Sequence, residues 1–256
     1  METIQVGGVA LELLRIDGPA DSSRTPVIFL HEGLGSVEMW RDWPRQVCEA
    51  TGRAGFVYSR RGYGRSQSIV DVRGAGRLKP DYMHREALDV LPELLVKIGV
   101  EQPVLLGHSD GGTIALIHAA HFPVRACIVM APHVIVEDVS VQVIEQSRDA
   151  YANTDLRSRL ARYHDDVDTA FWQWNDIWLA PQFRDFDIRA ECRRIHAPVL
   201  ALQGADDAYG TLRQIEEIVP AGAIRREVID DCGHSPHKDQ PGITRELVAR
   251  FLDDVG

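Results

Sequence analysis

The sequence predicts an α/β fold: a mostly parallel, doubly wound sheet with a helical segment inserted as a cap. Three observations carry this. From residue 27 to 133, short apolar runs alternate with longer amphipathic stretches, the rhythm of β-α-β crossovers. That rhythm stops between 134 and 195, where no clear strand pattern appears, and then resumes. The 256 residues, 45% of them apolar, suffice for one such core plus an insertion. The expected division is a core of residues 1–133 and 196–256 and a helical cap of 134–195.

In order along the chain, residues 3–16 alternate polar and apolar around Gly7-Gly8, as a β-hairpin does. Residues 17–26 form a polar loop. Val27–Leu30 is apolar throughout, as a buried strand should be, and stops at the glycine-rich His31-Glu32-Gly33-Leu34-Gly35-Ser36. A helix follows over 40–50, with Trp43, Val47 and Cys48 inward. The next strand, from Gly55 to Ser59, ends in Arg60-Arg61-Gly62-Tyr63-Gly64-Arg65-Ser66. Residues 67–82 are a surface loop. Asp81 is placed to cap a long helix over 82–98, in which Pro92 costs stability and is positioned to kink. A strand from Pro103 to Leu106, a small-residue helix over 111–121 and a strand from Arg125 to Pro132 complete the first half.

Helices are expected over 138–151, 154–164 and 167–179 of the cap. The last contains Phe171-Trp172-Gln173-Trp174-Asn175-Asp176-Ile177-Trp178, aromatic on more than one side, which a surface helix should not be. Its cluster, with Trp174 and Trp178, is expected to contribute a pocket wall. A strand from Pro198 to Gln203, a helix over 211–219, a strand over 224–229 and a closing helix from Pro241 to Leu252 finish the core.

Composition narrows the function classes. A net charge of −10 repels phosphate backbones and argues against nucleic-acid binding. No apolar run approaches the ~18 residues of a membrane span, and the N-terminus lacks the pattern of a signal peptide. Cys48, Cys127, Cys192 and Cys232 are scattered, with no C-x-x-C pair, which favours reduced thiols in a cytoplasmic protein over a disulfide frame or zinc site. No metal or cofactor motif appears, so a small-molecule substrate is the expected partner, with the oligomeric state left open.

The chemistry gathers at strand ends. Pro103 to Leu106 runs into Gly107-His108-Ser109-Asp110-Gly111, a G-x-S-x-G in the strand–turn–helix context that gives the motif meaning. Such a turn is strained and lifts the serine hydroxyl above the sheet edge, beside the free N–H groups of a helix N-terminus. A hydroxyl is a poor nucleophile until an imidazole takes its proton and a carboxylate fixes that imidazole. His234, in Cys232-Gly233-His234, is the expected base, with His237 and His31 as rivals; the alternative role for each is a hydrogen-bonded structural histidine, and His237 is read that way. Asp206 and Asp207, after Gly204, compete as the carboxylate. One oxyanion donor is expected to be the N–H of Asp110. His133, at its strand end where the cap begins, is expected to line the acyl or leaving-group pocket. Cys232 is read as packing.

The pieces His31–Ser36, Arg61–Ser66, Gly107–Gly111, Gly204–Asp207 and Gly233-His234 resemble those of the α/β-hydrolase fold family, across nearly the whole chain. The resemblance implies a serine hydrolase with a helical cap and no cofactor. It selects Asp207 over Asp206, since the family's triad carboxylate commonly sits three positions after the glycine ending its strand. It also implies Gly33 as the second oxyanion donor. The sequence departs from the family at Glu32, where glycine is usual. Two readings stay open: a brace to Arg60 or Arg61, or a group that meets the substrate or tunes His234. The expected reaction is cleavage of a small carboxylic ester, thioester or lactone through an acyl-enzyme on Ser109. The alternatives are C–C bond hydrolysis of a diketone and a hydrolase-like small-ligand receptor.

Overall fold

The computed structural model describes every residue except Asp21 and Ser22, so part of the polar loop over 17–26 lies outside the described residues. Its strands are β1 (Glu2–Val6), β2 (Val9–Ile16), β3 (Val27–Leu30), β4 (Gly55–Tyr58), β5 (Val104–His108), β6 (Ala126–Met130), β7 (Val199–Gly204) and β8 (Ile224–Ile229). They make one sheet in the order β1-β2-β4-β3-β5-β6-β7-β8. The hairpin partners β1 and β2 are antiparallel, as are β2 and β4, and every other pairing is parallel. The chain steps from β3 outward to β4, then returns to place β5 on the other side of β3. An α/β sheet opens a crevice at such a reversal, beyond the carboxyl ends of its strands. Here those ends carry Gly33 and Ser109.

Alternation along the strands explains the double winding. Val27, Phe29, Val104, Leu106, Ile128 and Leu200 belong to one apolar core. Their neighbours Ile28, Leu30, Leu105, Val129 and Ala201 belong to a second core on the opposite face. The first core is closed by helices α1 (Trp43–Thr51) and α11 (Pro241–Val255), the second by α2 (Tyr82–Arg85), α3 (Leu91–Ile98) and α4 (Asp110–His121). Trp43, Val47 and Cys48 of α1 point inward as expected.

The long helix expected over 82–98 is interrupted. It runs as α2 (Tyr82–Arg85), a π-helical turn (Glu86–Val90) and α3 (Leu91–Ile98). Pro92 has no N–H to offer the carbonyl of Leu88 and its ring crowds that carbonyl, so the turn before it widens. Asp81 stands at the N-cap position but makes no capping bond; its carboxylate takes Arg85 Nε at 2.8 Å instead.

The helix after the serine, α4 (Asp110–His121), is buried along nearly its whole length, which its glycines and alanines permit. Between 134 and 195 the elements are helical: α5 (Asp138–Asn153), α6 (Leu156–Leu160), α7 (Val167–Trp178), a 3-10 turn and α8 (Arg189–Cys192), with one isolated bridge from Ile135 to Asp187. The helix expected over 211–219 is confined to α9 (Arg213–Glu216), and α10 (Pro236–Asp239) precedes α11. Among the described residues no helix is long and apolar enough to cross a membrane.

Candidate active site

Three strand ends converge. Ser109, directly after β5, has φ 52° and ψ −120°, a left-handed backbone that a non-glycine residue adopts only under constraint. The constraint is visible at its flanks: a Cβ on Gly107 would lie 2.1 Å from the carbonyl oxygen of Gly111, and a Cβ on Gly111 would lie 2.0 Å from that of Leu30. Two consecutive turns of chain and the end of β3 are packed backbone to backbone, which tips the Ser109 side chain upward.

His234 Nε2 lies 2.9 Å from Ser109 Oγ. Its Nδ1 lies 2.9 Å from both carboxylate oxygens of Asp207. The imidazole therefore donates through Nδ1–H to the carboxylate and presents Nε2 as acceptor to the hydroxyl. Asp207 is itself fixed by Gln203 Nε2 at 2.6 Å and the Tyr209 N–H at 2.8 Å. Burial works to raise its pKa, but His234 and the Tyr209 N–H outweigh that and hold it below the usual carboxylate range. The loop bearing His234 reaches β7 because position 204 is glycine: a Cβ there would lie 2.1 Å from the Gly233 carbonyl oxygen. Asp206 is exposed and takes no part.

A cavity of about 170 Å³ lies over Ser109, walled by Gly33, Leu34, Ile144, Trp174, Trp178 and Tyr209, with Glu32, His108, His133, His234 and Ser235 as its polar margin. Asp110, as the first residue of α4, carries one of the N–H groups a helix leaves without an internal partner. Serine, imidazole and carboxylate in this order can transfer a proton and attack a carbonyl.

The model of the alpha/beta hydrolase family matches residues 27–247, most of the chain. The chain belongs to the alpha/beta hydrolase family. A hydrolase is the activity that membership supports. Similar proteins include a proline iminopeptidase of Lactobacillus delbrueckii subsp. bulgaricus, 24% identical over 93% of this chain and 92% of the relative. Among solved structures, a proline iminopeptidase from Mycobacterium smegmatis superposes with a TM-score of 0.77 at 17% identity, over 99% and 98% of the two chains. An enol-lactonase from Burkholderia xenovorans LB400 gives 0.76 at 18%, over 98% and 100%. An esterase from Thermogutta terrifontis gives 0.73 at 19%, over 100% and 99%.

In this hydrolase-family chain Glu32 does not make the brace expected of it, and it stands on the margin of the cavity over Ser109. It does not pair with Arg60 or Arg61. Its carboxylate takes Lys238 Nζ at 3.0 Å, and its other oxygen stands 3.5 Å from His108 Nδ1, too far for a good hydrogen bond. Nor does it touch His234. Arg60 instead donates to the backbone carbonyls of His31 and Glu32, the latter at 3.0 Å, and so braces the loop bearing Gly33. A carboxylate is legible at position 32, but Lys238, in the short helix α10, has no sequence signal linking it there.

Burial works to raise the Glu32 pKa, and Lys238 and His108 overturn that, holding it well below the usual range. With the folded value below the unfolded one, the pair's stabilisation is complete above about pH 4.3, the unfolded value, and is lost as pH falls through the folded value. Glu32→Gln is therefore expected to be less stable than the parent by about 1 kcal/mol at neutral pH. The deficit should shrink below about pH 4. Thermal unfolding of both proteins across that range measures it; a deficit unchanged in acid would separate the loss from the ion pair.

The other histidines sort as follows. His31 accepts the Arg60 N–H on Nε2 at 3.0 Å and donates from Nδ1 to the Glu32 carbonyl at 2.7 Å, a structural role. His237 is buried and structural, yet neither ring nitrogen has a partner; it packs on Trp40 with ring centroids 4.7 Å apart. The hydrogen bond expected for it is not made, because the aromatic cluster supplies contacts and no acceptor. His133 borders the cavity, its ring 4.8 Å from that of Trp178, and burial lowers its pKa to about 3, so it is a neutral imidazole. Cys232 is a buried thiol pushed up by burial to about 11.

Sequence reasoning missed several residues. His108 sits inside the G-x-S motif, where its Nε2–H donates to the His234 carbonyl at 2.7 Å. Tyr209 places its ring 4.6 Å from that of His234. The Asp110 side chain was not expected to matter, yet it is buried and accepts from Tyr82 Oη at 2.7 Å and Trp178 Nε1 at 3.3 Å, with Arg60 at 3.8 Å. It thus ties the segment 134–195 to the serine turn. Among the described residues no group of His, Cys, Asp and Glu is arranged to hold a metal ion.

Proposed function

We propose that this protein is a serine hydrolase that cleaves a small, neutral carboxylic ester, thioester or lactone through an acyl-enzyme on Ser109. The observation that carries the reading is the unbroken chain of hydrogen bonds from Ser109 Oγ through His234 to Asp207. In the proposed reaction His234 Nε2 takes the hydroxyl proton as Ser109 Oγ attacks the carbonyl carbon. The N–H groups of Gly33 and Asp110 hold the oxyanion, each contributing about 3–4 kcal/mol. His234 then gives its proton to the leaving oxygen or sulfur, and water, deprotonated by the same imidazole, releases the acid.

Two features favour a small neutral substrate. A volume of about 170 Å³ is below the ~300 Å³ of a typical drug-sized pocket. A peptide with a cationic N-terminus would need an unpaired carboxylate on the wall, and Glu32 is already paired with Lys238. The segment 134–195 serves as the cap, supplying Ile144, Trp174 and Trp178. A cytoplasmic location is supported by four buried free thiols.

Initial rates with p-nitrophenyl acetate, butyrate and octanoate, a γ-lactone, a short acyl-CoA and a 1,5-diketone test this. Short aryl esters are expected to turn over, with kcat/KM falling at least about tenfold from butyrate to octanoate as the cavity fills. Turnover of the diketone alone would favour C–C hydrolysis. Stoichiometric acylation without further turnover would favour the receptor.

A further inference from the structure

A second cavity, about 370 Å³ against about 170 Å³ over Ser109, opens between the β1–β2 hairpin, the loop after β4 and the π-helical turn before Leu91. It shares no wall residue with the first. Val6, Val9, Leu11, Ile69, Leu78 and Val90 make it apolar. Its volume lies within the range of about 300–1,000 Å³ typical of small-molecule sites.

The polar groups on this cavity differ in one respect. Glu86 accepts from Tyr58 Oη at 2.8 Å, Arg85 is held by Asp81 at 2.8 Å, and Arg60 and Tyr82 are engaged by Asp110. Gln173 is 3% exposed, and its amide nitrogen has no partner. Arg61 is exposed on the same lining and, among the described residues, makes no hydrogen bond or ion pair. An unmatched guanidinium beside an apolar void complements a ligand with an anionic head and an apolar body.

We propose that this cavity is a second binding site, for a single-chain amphiphilic carboxylate whose alkyl chain fills the space among Val9, Leu11, Leu78 and Val90 and whose carboxylate pairs with Arg61. The inference does not depend on the reaction proposed for Ser109, since the two cavities are separate. Isothermal titration with decanoate, below its micelle concentration, tests it on wild type, Arg61→Met and Val9→Trp, with decan-1-ol as the uncharged probe. One equivalent of decanoate is expected to bind wild type. Arg61→Met should weaken it about tenfold or more, the loss of one charge-assisted pair. Val9→Trp should abolish binding, and decan-1-ol should bind wild type no better than decanoate binds Arg61→Met. Equal affinity of wild type and Arg61→Met would assign the ligand elsewhere and overturn the proposal, as would no binding to wild type. If Val9→Trp does not fold, the Arg61→Met comparison decides alone, because that side chain is exposed.

Discussion

Ser109→Ala is expected to lower kcat on a short aryl ester by on the order of 10⁶-fold with unchanged thermal unfolding, and Asp207→Asn by about 10⁴-fold while staying folded at the assay temperature. The first removes the only atom that can be acylated in this cavity by the proposed route. The second leaves the shape intact but not the proton arrangement. Asp207 accepts from His234 Nδ1 on both oxygens and from Gln203 and Tyr209 as well, so all of its partners donate. An asparagine amide turned toward His234 would donate to Nδ1, move the ring proton to Nε2 and point it at Ser109 Oγ, where an acceptor is required. Adding Asp207→Asn to Ser109→Ala should then cost almost nothing further, because the groups act as a unit. A fluorophosphonate should label wild type at one residue and leave Ser109→Ala unlabelled. Labelling that persists in Ser109→Ala, or a kcat within tenfold of wild type, would refute the serine reading.

How much of this was legible in advance depends on the range of the interaction. Ser109, Gly107 and Gly111 announce themselves because strand, turn and helix are contiguous, and the local sterics demand glycine at fixed offsets. The central strands are legible because burial on both faces leaves uninterrupted apolar runs, as at Val27–Leu30. Asp207 needed the family resemblance, since Asp206 and Asp207 are chemically identical and only the turn after β7 decides which faces His234. The partner of Glu32 was not legible at all: Lys238 is 206 positions away, and only the approach of α10 to the loop after β3 brings them together. The same holds for the Asp110 carboxylate, whose partners Arg60, Tyr82 and Trp178 come from three separate segments. Pro92 was read as a kink; the structure absorbs it as a wider turn, because the preceding carbonyls can shift to a longer repeat without breaking the helix.

These long-range ties also show where the serine turn gets its rigidity. Ser109 holds a strained backbone, and such strain persists only where surroundings over-determine it. From below, Ser109 N–H donates to the Met130 carbonyl at 2.9 Å. From the side, Arg60 fixes the carbonyls of the Gly33 loop while lying 3.8 Å from Asp110. From above, Trp178 reaches Asp110 while forming the cavity wall. One buried carboxylate therefore couples the wall, the loop and the serine turn.

Gly111→Ala is expected to be a severely damaging single-methyl change, with a loss of at least about 3 kcal/mol. For a chain of this size that corresponds to a fall in Tm of roughly 6–12 °C. The new Cβ would sit 2.0 Å from the Leu30 carbonyl oxygen, 2.4 Å from its carbon and 2.7 Å from the His31 carbonyl oxygen. All three are backbone atoms at the end of β3, which is hydrogen-bonded to β4 on one side and β5 on the other. No side chain is available to swing away, so α4 would have to lift off the sheet, carrying Ser109 from His234 and widening the space between Gly33 and Asp110. Stability and turnover should therefore fall together. Gly112→Ala, one position along the same helix, is the control. Its Cβ would meet Pro132 Cβ at 3.2 Å and the Gly107 carbonyl oxygen at 3.3 Å, contacts relieved by shifts of a few tenths of an ångström. Alanine also gains roughly 1 kcal/mol of helix propensity over glycine. Gly112→Ala should unfold within about 1 kcal/mol of wild type and keep most of its turnover. Equal melting of the two variants would mean that the approach of α4 to β3 is not what holds the serine in place.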